Sequence, residues 1–183
     1  FQGLAISKDE DFEKHLNRYP VLYLDMTDFV TKYGNDEQLV EHIKRDICEE
    51  LLELYKGVVM KPNDDLMDLL VSIVNQTREK FVCLIDEWDA LCREGQEKQM
   101  DEYVNLLRRL FKGSMSEYVF ACSYMTGILP IKRYNTQSAL NNFDEYTMLS
   151  PAQLAPYFGF TENEVEQLCT EVGMDAYKMK RWY

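Results

Sequence analysis

The stretch that most limits what this chain can fold into is Lys80-Phe81-Val82-Cys83-Leu84-Ile85-Asp86-Glu87-Trp88-Asp89. Five apolar residues run together and stop at two adjacent acids. A continuous apolar run of that length suits a strand buried on both faces of a parallel sheet. The acids then stand at the carboxyl edge, where open α/β folds bind their ligands. The plainer reading of the same residues is a buried strand followed by an acidic turn.

The flanking sequence favours a parallel sheet. Pro20 precedes Val21-Leu22-Tyr23-Leu24-Asp25-Met26, a second apolar run with an acid near its end, and Glu117 to Met125 reads as a third strand closed by Thr126-Gly127. Between them lie helical periods. Ser7-Lys8-Asp9-Glu10 has the form of a capping box and predicts a short helix from Lys8 to about Asn17. Asn35 and Gln38 read as a cap. The helix after them carries Leu39, Ile43, Ile47, Leu51 and Leu54 on one face and ends near Gly57. A second helix covers Asp64 to Glu79, and a third runs to about Lys112 with Tyr103, Leu106, Leu107 and Leu110 on one side. A weaker strand is expected from Tyr146 to Leu149. Ser150-Pro151-Ala152-Gln153 reads as a cap with Pro at the first helical position, and Thr161-Glu162-Asn163-Glu164 opens a helix that stops at Gly173. Strand, helices, strand, helix, strand is the alternation of an α/β fold, with residues 1–150 as its core and 151–183 as the start of a helical extension.

Composition narrows the function classes. The 183 residues are 46% hydrophobic and carry a net charge of -12, which fits a packed core and opposes tight binding to a phosphate backbone. Five cysteines without a C-x-x-C pair, and two histidines distant from them, suit reduced thiols in a cytoplasmic protein and not a zinc site. No apolar run reaches the length of a membrane span.

The chemistry sits at the strand ends. An apolar strand ending in Asp-Glu has the form of a Walker B motif, whose Asp helps to hold magnesium at a nucleotide. In a parallel sheet the ends of the three strands share one edge. Asp86 is then placed to order a magnesium water shell, Glu87 to deprotonate or position the attacking water, and Thr126 to sense the terminal phosphate. Each has a plainer alternative. A Thr before Gly at a strand end is usually a turn. Asp25 reads as a carboxylate satisfying turn amides beside Thr27, and Asp89 as a cap on the turn or helix after the strand. Arg108-Arg109 reads as a solvated helix face. Lys132-Arg133 follows the Thr126 loop and is placed to reach a phosphate or a neighbouring subunit. Nowhere does G-x-x-x-x-G-K-[ST] occur, so the phosphate cradle of such a site is absent from these 183 residues.

Four runs in order carry a resemblance: Asn17-Arg18-Tyr19-Pro20-Val21-Leu22-Tyr23-Leu24-Asp25-Met26-Thr27-Asp28-Phe29, Leu84-Ile85-Asp86-Glu87-Trp88-Asp89-Ala90, Met125-Thr126-Gly127-Ile128-Leu129-Pro130-Ile131-Lys132 and Tyr157-Phe158-Gly159-Phe160-Thr161. Together they resemble the AAA-ATPase-like family of bacterial proteins, P-loop ATPases related to archaeal-type and STAND ATPases. The resemblance implies a three-layer P-loop NTPase-like parallel sheet that is incomplete here, its first strand and Walker A loop lying before Phe1. It implies ATP and magnesium as cofactors of the complete protein, with the acids at Asp86 and Glu87 and the sensor-like position at Thr126. It further implies a PD-(D/E)XK nuclease-like domain following in many members, and little nucleotide binding by this chain alone. A missing inner strand leaves a segment supplied from elsewhere, a different pairing of the strands, or self-association. Two other classes fit the residues. One is a non-catalytic, nucleotide-dependent switch or interaction module. The other is a nucleic-acid helicase core, since Asp86-Glu87-Trp88-Asp89 matches D-E-x-D; acidity and the lack of further helicase motifs oppose it.

Overall fold

The computed structural model describes residues 3–34, 36–94, 97–130, 140–157 and 159–182. Three strands, β1 (Val21–Asp25), β2 (Phe81–Asp86) and β3 (Phe120–Met125), form one parallel sheet in the order β1-β2-β3. Nine helical segments accompany them among the described residues: α1 (Phe12–His15), α2 (Met26–Tyr33), α3 (Leu39–Leu54), α4 (Leu66–Thr77), α5 (Ala90–Arg93), α6 (Glu97–Phe111), α7 (Ser116–Val119), α8 (Glu162–Glu171) and α9 (Ala176–Trp182). The chain falls into two compact units, Phe1–Phe143 and Asp144–Tyr183.

The first unit is an open α/β sheet of the incomplete P-loop kind. In register, Leu22 stands beside Cys83 and Leu24 beside Ile85. Side chains alternate across a sheet, so these four share one face, and all four are buried. Against them lie the apolar stripes of α3 (Leu39, Ile43, Ile47, Leu51), α4 (Leu66, Leu69, Leu70, Ile73) and α6 (Tyr103, Leu107, Leu110) in one hydrophobic cluster. The opposite face carries Val21, Tyr23, Val82, Leu84, Cys122 and Tyr124, each exposed or half-buried. The expectation that the central strand is buried on both faces is thus corrected. One helical layer is in place, and the described residues leave the other face open.

Local chemistry explains most element boundaries. The Asp65 carboxylate accepts from the Asp68 amide while Asp68 accepts from the Asp65 amide, a reciprocal cap that starts α4 and contributes about 1 kcal/mol. Arg109 of α6 donates to Asp65 at 2.7 Å, so this arginine braces the cap and is not merely a solvated charge. The α3 cap differs from expectation. Gln38 makes no side-chain cap; the Asp36 carboxylate takes the Gln38 amide at 2.8 Å instead. Asn35 lies outside the described residues.

Three further expectations are corrected. The box at Ser7 does not form, because the Ser7 hydroxyl donates to the Leu4 carbonyl; a 3-10 turn (Ala5–Lys8) and the single turn of α1 stand where one helix was expected. The third strand begins at Phe120, because Ser116–Val119 coil into α7 first. Tyr146 to Leu149 form no strand; an isolated antiparallel bridge between Thr147 and Ser150 closes a turn there. In the second unit a 3-10 helix (Ala152–Tyr157) follows, and Thr161 and Glu164 cap α8 reciprocally. Lys180 of α9 pairs with Glu162 of α8. No described helix is long and apolar enough to cross a membrane.

Candidate functional site

The parallel register sets Asp25 beside Asp86, and Ile85 beside Met125, so the ends of all three strands lie along one edge of the sheet. Thr126 follows β3 directly, and its amide donates to the Ile85 carbonyl at 2.9 Å. Its hydroxyl donates to Asp86 Oδ1. The Glu87 amide is shared between Asp86 Oδ1 at 3.1 Å and Thr126 Oγ1 at 3.2 Å. The other Asp86 oxygen, Oδ2, accepts from the Tyr23 hydroxyl at 3.2 Å. Loss of hydration and the adjoining Asp86 carboxylate both push the Tyr23 phenol upward, so it stays a hydrogen-bond donor.

Asp86, Glu87 and Thr126 are therefore brought together, and the other candidates divide. Asp25 is the N-cap of α2, and its carboxylate accepts from the amides of Thr27 at 2.9 Å and Asp28 at 3.3 Å. It stands next to Asp86 in register yet is occupied by its own helix. Asp89 occupies the N-cap position of α5 but makes no side-chain cap. It turns instead to the segment after β3, where Oδ1 accepts from the Ile128 amide at 3.3 Å and Oδ2 from the Leu129 amide at 2.9 Å. Lys132 and Arg133 lie outside the described residues.

The turn after β2 is conformationally unusual. Glu87 has φ of 52°, in the left-handed region that non-glycine residues seldom occupy. Such strain persists where neighbours over-determine it. Here the Glu87 amide is held by Asp86 and Thr126, its carboxylate pairs with Arg93, and the next amide, of Trp88, donates to the Thr126 carbonyl at 2.9 Å. A Cβ on Gly127 would come within 2.5 Å of Trp88 Cδ1 and 2.7 Å of Asp89 Oδ1, so the two loops touch where only glycine fits.

Tyr23 and Arg93 are members of this site that the motif reading misses. The signal for Tyr23 is its place two residues before Asp25 on the same face of the strand. For Arg93 it is the helical spacing of four from Asp89.

The donor set fits magnesium in kind. Asp86 offers hard carboxylate oxygens at a sheet edge, with a hydroxyl beside them, and magnesium at nucleotides takes one or two carboxylates plus phosphate oxygens. Among the described residues no cluster of three or more His, Cys, Asp or Glu side chains forms a closed metal cage. A separate open groove of about 1100 Å³ runs between β1 and α3, and neither Asp86, Glu87 nor Thr126 lines it. The strand-end cluster is a stronger candidate than this groove, because convergent polar groups and not volume carry chemistry.

A search of curated proteins finds no match to this chain. A family model described as predicted AAA-ATPase matches residues 1–136, which take in all three strands and the acid cluster; the chain belongs to that family.

Proposed function

We propose that this chain supplies the acid half of a magnesium-ATP site in a bacterial, cytoplasmic AAA- or STAND-like ATPase. No G-x-x-x-x-G-K-[ST] phosphate cradle occurs within these 183 residues. Asp86 would serve as the Walker B aspartate that holds magnesium. Glu87 takes the proton of the attacking water, and the Thr126 hydroxyl, fixed on Asp86, registers the terminal phosphate. Bound magnesium supplies charge neutralisation on the phosphate oxygens. Tyr23 keeps the second Asp86 oxygen oriented toward the edge. The observation that carries this reading is the shared hydrogen bonding of Asp86, the Glu87 amide and Thr126 at the carboxyl edge of a parallel sheet. The five cysteines form no disulfide, which suits a reducing compartment.

Glu87→Gln tests the assignment in the full-length protein. It should lower kcat by about 10²- to 10⁴-fold, the usual contribution of a general base, while ATP still binds. The chain of 183 residues alone should show no turnover and no micromolar affinity for magnesium-ATP; such affinity would refute the division of the site. A second reading is a nucleotide-dependent switch with little hydrolysis. The pairing of the Glu87 carboxylate with Arg93 bears on it, since a carboxylate that stayed so engaged throughout the cycle would not take a proton. In that case Glu87→Gln leaves both binding and the slow turnover as they were.

A further inference from the structure

Asp89 is wholly buried and stands outside the roles assigned above. A buried carboxylate is costly unless it is paired and hydrogen-bonded. Two backbone amides, of Ile128 and Leu129, and one cation meet that demand; the cation is Arg93, with Nε 3.4 Å from Asp89 Oδ2. The same guanidinium reaches Glu87 through Nη2. A planar fork spans two carboxylates in a way an ammonium group does not. The buried acid thus fixes the arginine, and the arginine fixes the exposed acid.

We propose that Arg93 is a positioning residue for hydrolysis, holding the Glu87 carboxylate in place and tying it, through Asp89, to the loop that carries Thr126. This rests on the reading of Glu87 as the base. Three observations make the linkage mechanical and not incidental. The peptide units of both loops are joined, since the Trp88 amide donates to the Thr126 carbonyl. The loops pack at Gly127 with no room for a methyl group. Glu87 sits in a strained left-handed turn, so its direction depends on its neighbours. Among the described residues, Arg93 at the end of α5 pairs with both the Glu87 carboxylate and Asp89 at its start, while Asp86 of β2 takes the Glu87 amide and the Tyr23 hydroxyl. Without Arg93, the acid is left among like charges that drive it off its line of attack. Displacement of the phosphate-sensing loop then moves Glu87 as well, which couples sensing to base placement.

Steady-state ATP hydrolysis by the full-length protein tests this. Arg93→Ala should lower kcat roughly ten- to hundredfold, the scale of a misplaced catalytic group, with KM for ATP within about twofold of wild type because Asp86 is untouched. Arg93→Lys should recover only part of the loss, since one ammonium cannot serve both acids. Asp89→Asn should reproduce the fall in kcat although its side chain lies buried behind the loop. If Arg93→Ala does not fold, Arg93→Gln, which still donates a hydrogen bond to Asp89, carries the same comparison. Wild-type kcat in the Arg93 variants, with only the melting temperature lowered and Glu87→Gln inactive, overturns the positioning role and leaves the ATPase reading intact. No hydrolysis by the wild type, or wild-type hydrolysis by Glu87→Gln, overturns both.

Discussion

At the scale of single residues, the core holds one polar atom that its surroundings do not satisfy. Tyr103 of α6 is 1% exposed, and its hydroxyl finds no hydrogen-bond partner among the described residues. Burial drives its acidity far below that of a free phenol. A buried hydroxyl left unpaired costs about 1–3 kcal/mol, whereas the ring lies within the hydrophobic cluster of the core. Tyr103→Phe is therefore expected to stabilise the chain by about 1 kcal/mol, read as a higher urea midpoint at unchanged slope. A loss of stability shows that the hydroxyl has a partner after all. Glu87 is the opposite case, a residue whose backbone strain is maintained by named contacts to Asp86, Thr126 and Arg93.

At the scale of elements, α2 and α3 are clasped by one carboxylate. Asp46 of α3 pairs with Lys32 at 2.6 Å and with Arg45 at 3.1 Å, and it accepts from the Tyr33 hydroxyl. The Lys32 and Tyr33 hydrogen bonds hold its carboxyl at about 2, below the ordinary 3.8. A lowered carboxyl value means that the stabilisation is complete above pH 3.8 and is lost as pH falls through about 2. Asp46→Asn should cost about 1 kcal/mol at neutral pH and flatten the stability curve in that acid window; an unchanged acid slope rejects the clasp. This clasp also shows what the sequence makes legible. The stripes of α3 and α4 and the three strands announce themselves through apolar period, because burial imposes that period. Helix α2 does not. It starts directly at the Asp25 cap, and its hold on α3 comes from Lys32, Tyr33 and Asp46, residues 13 and 14 positions apart. The candidate site divides in the same way. Asp86, Glu87 and Thr126 follow from strand ends. Asp89 acts through partners about forty residues away, at Ile128 and Leu129, a separation that no local pattern encodes, whereas Arg93 reaches Glu87 and Asp89 within six residues.

At the scale of the whole molecule, the described residues put helices on one face of the sheet and leave the second open, bearing Val21, Tyr23, Val82, Leu84, Cys122 and Tyr124. The chain also carries a net charge of -12. These two properties oppose each other in solution. Charge keeps copies apart over a distance of about 10 Å at 0.1 M salt but only about 3 Å at 1 M, while the pull between apolar faces is short-ranged and survives screening. The 183-residue chain is thus expected to gain apparent mass by light scattering as sodium chloride rises, and Tyr124→Lys, which puts a charge on that face, should remove the effect. A constant monomer mass across the salt range refutes it. On that expectation the chain behaves as a colloid whose dispersion depends on ionic strength, and the salt chosen for storage sets the association state that enters a titration or a crystallisation drop.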